Sequence, residues 1–310
     1  MEPVKAVVEG VALPLLDATP RKLREPARAM LALVLARCGA EYGHLLSGVR
    51  NTYLLASLYA ELPTYFPDTW EEYSRAALVR LAELSLNRRC VVLSKLAETA
   101  ARTGSTPHVF LSAALRGSNL CSRSARARLA LALAECGQPE KALSLVRGQP
   151  ALVVELLLRA PGDGTLLEAA RKAVSRVRDS RRRLVLVSRL LVGGFSLSYE
   201  PEVVAESLAA ALSRDGDPSS VYLSLVIARN LAEAGMQQYA WEKVSQILEN
   251  SPPLSWLPLD LAELYLVNAY HYLGLTRAVE LAGTAGENKG FLLASLLDYI
   301  TAGWGGPHAG

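Results

Sequence analysis

The 310-residue chain holds four cysteines and four histidines, and neither set is arranged for chemistry. Cys38, Cys90, Cys121 and Cys136 form no Cys-x-x-Cys pair, and none has a His at metal-ligand spacing. They read as buried free thiols, because an unpaired Cys behaves as a small hydrophobe. His44, His108, His271 and His308 are isolated, with no His-Glu-x-x-His and no two on one helical turn. Gly-x-Ser-x-Gly is missing. Gly162-Asp163-Gly164 is too short for a dinucleotide fingerprint and joins two expected helices. The run Gly283 to Gly290 misses the Walker spacing and has no strand before it. No cofactor and no metal are expected, and the chain reads as non-enzymatic.

Other shortages set further bounds. No stretch approaches the ~20 apolar residues of a membrane span; Arg189 interrupts the best candidate, Leu184–Phe195. The start, Met1-Glu2-Pro3-Val4-Lys5, lacks a signal-peptide pattern, so a cytoplasmic protein with no membrane partner is expected. Val and Ile form no alternating runs, which removes the strand signal. Seven Asn, five Gln and three Met are few for this length, and depletion of thermolabile residues fits a thermophile. Arg outnumbers Lys 26 to 7, which fits a GC-rich genome equally well.

What remains is Leu and Ala. They supply most of a 51% hydrophobic fraction and a mean hydropathy of +0.19, and both favour helix. Ala125, Leu129, Ala132, Leu133 and Cys136 make one apolar helical stripe. Thr106-Pro107, Gln138-Pro139 and Asp217-Pro218 carry cap-then-proline starts, and Thr69-x-x-Glu72 and Thr165-x-x-Glu168 match capping boxes. Gly39, Gly104, Gly137, Gly148, Gly235 and Gly274 are candidate helix stops. Between these marks the chain divides into hairpins at 87–117, 119–148, 149–178, 179–214, 216–250 and 254–286, with a break expected near Asp179-Ser180. Successive starts are 32, 30, 30, 37, 38 and 33 residues apart, in the range of helical repeats. Residues 1–86 suggest longer, irregular helices near 3–17, 20–38, 40–62 and 68–86, with Pro14 and Pro26 ending or kinking theirs. The apolar segment 287–303 suggests a C-terminal capping helix, and Gly303–Pro307 a frayed end.

Two stretches share one plan. Leu133-Ala134-Glu135-Cys136-Gly137 and Leu231-Ala232-Glu233-Ala234-Gly235 each end a helix at Gly, and an Ala follows five residues later, Ala142 and Ala240. This pair of positions resembles the tetratricopeptide repeat. Leu273-Gly274-Leu275-Thr276-Arg277-Ala278 is similar, with its Ala one residue early. The resemblance implies an all-α fold: one domain over 1–310, a right-handed α-solenoid of stacked antiparallel hairpins with a groove for a peptide or partner protein. The residues such repeats use as a carboxylate clamp are not identifiable here.

Charge offers candidate contact sites. Residues 116–194 hold 15 Lys/Arg and 6 Asp/Glu, while residues 195–310 hold 5 and 13. The modest total of +3 therefore hides a basic middle and an acidic final third. The basic run includes Arg171, Arg178, Arg181, Arg182, Arg183 and Arg189; on one helix Arg171, Arg178 and Arg182 would share a face. An acidic protein, nucleic acid or a second copy could meet it, or it could be a solvated face. No aromatic residue interleaves the run, which argues against single-strand stacking. Tyr265, Asn268 and Tyr272, with neighbouring His271, form an aromatic face suited either to peptide recognition or to packing between repeats. A second aromatic cluster runs from Tyr53 to Tyr73. The leading expectation is a scaffold for a protein or peptide partner; nucleic-acid binding through Arg171–Arg189 is the alternative.

Overall fold

The computed structural model describes residues 2–196, 200–212 and 218–302; the expected frayed end at Gly303–Pro307 and the cap residue Asp217 lie outside them. The fold is all-α: every regular element among the described residues is helical. α1 (Glu2–Val7) and α2 (Leu13–Leu15) form one run through a π turn at Val8–Ala12. Then come α3 (Arg21–Arg37) with α4 (Gly43–Leu46), and α5 (Thr52–Glu61) with α6 (Trp70–Arg80). α7 (Leu86–Arg102) pairs with α8 (His108–Arg116), and α9 (Arg123–Glu135) with α10 (Pro139–Leu145). α11 (Pro150–Arg159) pairs with α12 (Gly164–Ser175), and α13 (Ser180–Val192) precedes α14 (Pro201–Ala210). α15 (Pro218–Glu233) and α16 (Trp241–Glu249), then α17 (Leu259–Leu273) and α18 (Leu275–Ala282), lead to α19 (Lys289–Ala302).

From residue 86 onward these boundaries follow the expected hairpins. The expected break is present, because the Asp179 side chain accepts from the backbone N–H of Arg181 and Arg182 and starts α13. The N-terminal part is divided into shorter pieces than expected. The single helix expected over 40–62 is two, α4 and α5, since Asn51 caps α5 by accepting from Tyr53 and Leu54 N–H. Pro26 sits in the second turn of α3, which continues past it. Of the two capping boxes, Thr69 makes no side-chain cap bond, and Asp163 rather than Thr165 caps α12.

Four of the six expected glycine stops, together with Gly194, share one geometry. Gly39, Gly104, Gly137, Gly194 and Gly235 have φ between 66° and 76°, a region open to residues without a Cβ. In each case the next residue's N–H reaches back to a carbonyl five residues earlier: Ala40 to Leu35, Ser105 to Ala100, Gln138 to Leu133, Phe195 to Leu190 and Met236 to Leu231. This closing bond satisfies the last carbonyls of a helix and sends the chain into the next one. The Ala that follows is buried because the paired helices close tightly there: Ala142, Ala240 and Ala278 are at most 1% exposed.

The first helices of successive hairpins pack on one another in order, α3 on α5, α5 on α7, and so on to α19. α19 then packs on α3, so the order closes on itself. The first and last described helices are not apart, as those of an open superhelix are. The α1–α2 run lies along α19 and supplies the partner that a C-terminal hairpin would otherwise have. The approach is close: a Cβ on Gly290 of α19 would stand 3.0 Å from the Leu15 carbonyl oxygen. One core joins Val4, Val8 and Ala12 to Leu293, Leu297 and Ile300. The C-terminal helix therefore does not cap an open end. It is apolar on several faces because α3, α17 and the N-terminal run all cover it. A second core spans Cys90 to Leu190.

Candidate functional site

The first helices run parallel, as their side-chain bonds establish. Arg37, at the end of α3, meets Asp298 near the end of α19 at 2.6 Å and Glu61, the last residue of α5, at 3.2 Å. Lys95 of α7 also meets Glu61, at 3.0 Å. Glu135, ending α9, takes Arg102 of α7 at 2.5 Å and Arg159 of α11 at 3.4 Å. Glu98 of α7 pairs with Arg128 of α9. Arg189 of α13 spans Glu155 of α11 at 2.7 Å and Glu233 of α15 at 2.6 Å. Tyr299 of α19 donates to Glu233 at 2.6 Å and lies 2.8 Å from His271 of α17. A belt of charged and polar side chains thus touches all nine first helices.

This belt places Arg189 and corrects its reading: it is neither on the basic face nor free, but held between two carboxylates. Burial lowers the affinity of the Arg189 site for charge, and Glu155 and Glu233 more than reverse that, so its pKa is raised. Glu61 is pulled the same way. Burial alone would raise its pKa, yet Lys95 and Arg37 hold it down to about 2.

The aromatic face resolves into packing. Tyr265, Asn268 and Tyr272 are 5%, 0% and 1% exposed, so they are not available to a partner. Asn268 donates to the carbonyls of Leu225 and Leu264, and Tyr272 to that of Ala228, which ties α17 to the backbone of α15. His271 belongs to the belt. Because Tyr299 gives its proton to Glu233, the neutral His271 ring donates Nε2–H to Tyr299. The Tyr53–Tyr73 cluster also packs internally, with Tyr59 and Tyr73 rings 5.3 Å apart.

Burial lowers the pKa of His271, so the folded protein disfavours the protonated ring. The sign follows from linkage: the unfolded chain binds the extra proton more readily, so stability is full above the ordinary imidazole value of ~6.5 and falls as pH drops below it. A denaturation midpoint should therefore decline more between neutral and mildly acid pH in the wild type than in His271→Gln. Equal declines would show that His271 is not the group responsible.

The basic run is exposed, but not as one helical face. α12 ends at Ser175 and α13 begins at Ser180, so Arg171, Arg178 and Arg182 do not share a stripe. Arg178 stands in the turn; Arg171 and Arg176 precede it and Arg181 follows, all exposed. Arg182 pairs with its own cap, Asp179, at 3.5 Å. Arg183 is turned back onto the Val177 carbonyl at 3.0 and 2.5 Å. Arg171, Arg176, Arg178 and Arg181 have no carboxylate partner among the described residues.

Parallel first helices put all turns that lead into them at one edge of the layered hairpins. Asn87 of α7 reaches Ser122 beside α9, and Glu25 of α3 reaches Asn51 beside α5, so neighbouring turns meet there. The turns entering α3 to α13 (17–25, 47–52, 80–89, 116–126, 146–151 and 175–183) hold sixteen Lys/Arg and four Asp/Glu. The basic character thus belongs to the part of this edge that serves α3 to α13, whereas the turns into α17 and α19 hold Glu249, Asp260 and Glu287 against Lys289. The opposite edge comprises 39–45, 62–73, 103–110, 136–142, 160–168, 193–196, 200–206, 234–243 and 274–280. It holds twelve Asp/Glu and three Lys/Arg, so the molecule is polar from edge to edge. Helix dipoles favour the acids at the starts of the second helices and the bases at their ends, but oppose the ten Lys/Arg in the first turns of α3, α7, α9 and α13.

Comparison with family models, with curated proteins and with solved structures finds no match. No described helix is long and apolar enough to cross a membrane. No group of three metal-ligating side chains occurs among the described residues. Two of the thiols are poorly suited to nucleophilic work: burial pushes Cys90 up to about 12 and Cys136 up to about 11.

Proposed function

We propose that this protein is a non-enzymatic scaffold, built of stacked hairpins of the tetratricopeptide type, that holds an acidic protein or peptide against its arginine-rich edge. The observation that supports this reading is a contrast. In the belt the guanidinium groups are paired: Arg37, Arg128 and Arg189 each meet a carboxylate. At the α12–α13 turn, Arg171, Arg176, Arg178 and Arg181 stand exposed without one. Guanidinium forks take carboxylates in bidentate fashion, which adds geometry to attraction. A field of one sign also speeds the encounter with a partner of the other. Phosphates would satisfy the same groups, but the stretch offers no aromatic platform for bases.

The reading is tested by fluorescence anisotropy with a labelled Glu-rich peptide and a labelled single-stranded RNA of equal net charge. The peptide should bind, weaken as salt rises, and lose at least ~10-fold in affinity for the triple variant Arg176→Glu, Arg178→Glu, Arg181→Glu. Tighter binding of the RNA, or a triple variant that holds the peptide as well as the wild type, would overturn it.

A further inference from the structure

The two edges carry opposite charge, and each also exposes large apolar side chains. Leu120 is 80% exposed, Val79 69% and Trp256 77%, all at the basic edge or its continuation towards α17. Val109 is 67% exposed and Val203 52%, both in the first turns of second helices at the acidic edge. Charge surrounding apolar anchors is the usual anatomy of an interface. The closed packing order matters here as well. Among the described residues it leaves no first-helix face at an open end to join copies side by side, and of the other surfaces the two edges are the ones of opposite charge.

From this complementarity we propose that a second copy of this chain seats its acidic edge on the basic edge of the first, in a head-to-tail stack. The proposal rests on the reading of the basic edge given above and names its partner. The contact is heterologous: a pair keeps one acidic edge free on one copy and one basic edge free on the other, so addition continues past two. The match also has a direction around the edge. The turn before α17 carries Glu249 and Asp260, against the basic turns from α3 to α13, so the partner has one favoured rotation.

Sedimentation velocity across protein concentration and salt tests the stack. Wild type should grow beyond a dimer with concentration at low salt and return to monomer at high salt, because exposed charges are screened. The basic-edge variant (Arg176→Glu, Arg178→Glu, Arg181→Glu) should be monomeric. The acidic-edge variant (Glu71→Lys, Glu72→Lys, Glu202→Lys) should be monomeric too. Mixed together, the two should pair, since the first keeps an unaltered acidic edge and the second an unaltered basic one. All six positions are exposed, and unchanged circular dichroism and melting verify that both variants fold. A wild type that stays monomeric at low salt overturns the stack, as does a mixture that stays monomeric. A dimer indifferent to both sets of reversals also overturns it. If wild type is monomeric yet binds the Glu-rich peptide, the stack falls while the scaffold reading stands; if it binds neither, both fall.

Discussion

Replacing Arg37 with Ala should cost about 3–5 kcal/mol, the range for removing one partner of a buried ion pair. Its side chain is 8% exposed and makes five bonds. Nε donates to the Tyr65 hydroxyl at 3.0 Å. One terminal nitrogen donates to Asp298 Oδ1 at 2.6 Å, the Asp298 carbonyl at 3.1 Å and the Thr301 hydroxyl at 3.2 Å; the other reaches Glu61 at 3.2 Å. Ala takes a donor from each of these, leaving Glu61 with Lys95, and removes the main bond across the α3–α19 contact. Asp298 suffers most: burial already raises its pKa, and Arg37 is the chief group opposing that rise. Arg37→Lys keeps the charge but cannot fork between two carboxylates, so it should recover only part of the loss. Chemical denaturation measures both. A loss under ~1 kcal/mol for Arg37→Ala would mean that solvent already satisfies these groups.

The same contact gives the acid limb of stability a sign. The pKa of Glu61 is depressed to about 2, so its contribution is present above the ordinary carboxylate range and is lost as pH falls towards about 2. Arg37→Ala removes one of the two cations named with it, but Lys95 remains.

The hairpins could be read in the sequence because their boundaries rest on local chemistry. A left-handed Gly, an Asp cap or a first-turn Pro acts within a few residues, and Gly137, Asp179 and Pro139 did so where expected. The belt was written in the sequence as well, but in the other direction from the Gly. Leu35-Ala36-Arg37-Cys38-Gly39, Leu133-Ala134-Glu135-Cys136-Gly137 and Leu231-Ala232-Glu233-Ala234-Gly235 each place a charged residue two before the stop, and Arg102 precedes Gly104 in the same way. Reading forward from Gly to Ala finds the tight crossing, whereas reading back finds the ion pairs. The aromatic face misled because Tyr265, Asn268 and Tyr272 satisfy any surface rule for recognition, and only burial separates a hydroxyl that bonds a partner from one that bonds Ala228. Nothing local marks the closure of the packing order. Phe291–Ile300 reads equally as a lid and as a seam, since the difference lies in whether α3, some 260 residues earlier, is its neighbour.

Ending the chain after Asn288 discriminates between lid and seam, and the seam predicts collapse of the whole fold. α19 buries Leu292, Leu293, Leu296, Leu297 and Ile300, each at most 4% exposed. At ~1.5–3 kcal/mol for each large aliphatic side chain, their burial is worth about 8–15 kcal/mol, an upper estimate that matches the entire stability of an ordinary domain. In an open array of repeats the loss would stay local, because each unit contacts only its neighbours. The core from Cys90 to Leu190 would then survive with its own amide protection. In the closed order, removing α19 strips α3 and α17 together and frees the α1–α2 run that α19 holds. The truncated chain should lose its cooperative transition, and hydrogen exchange should lose protection across α7–α13 as well as near the cut. A peptide of residues 289–302 supplied in trans should restore part of both, since its binding site is formed by elements the truncated chain still contains. Retained protection over α7–α13, with only α3 and α17 exchanging, would mean that the contact between α19 and α3 adds no cooperativity to the rest.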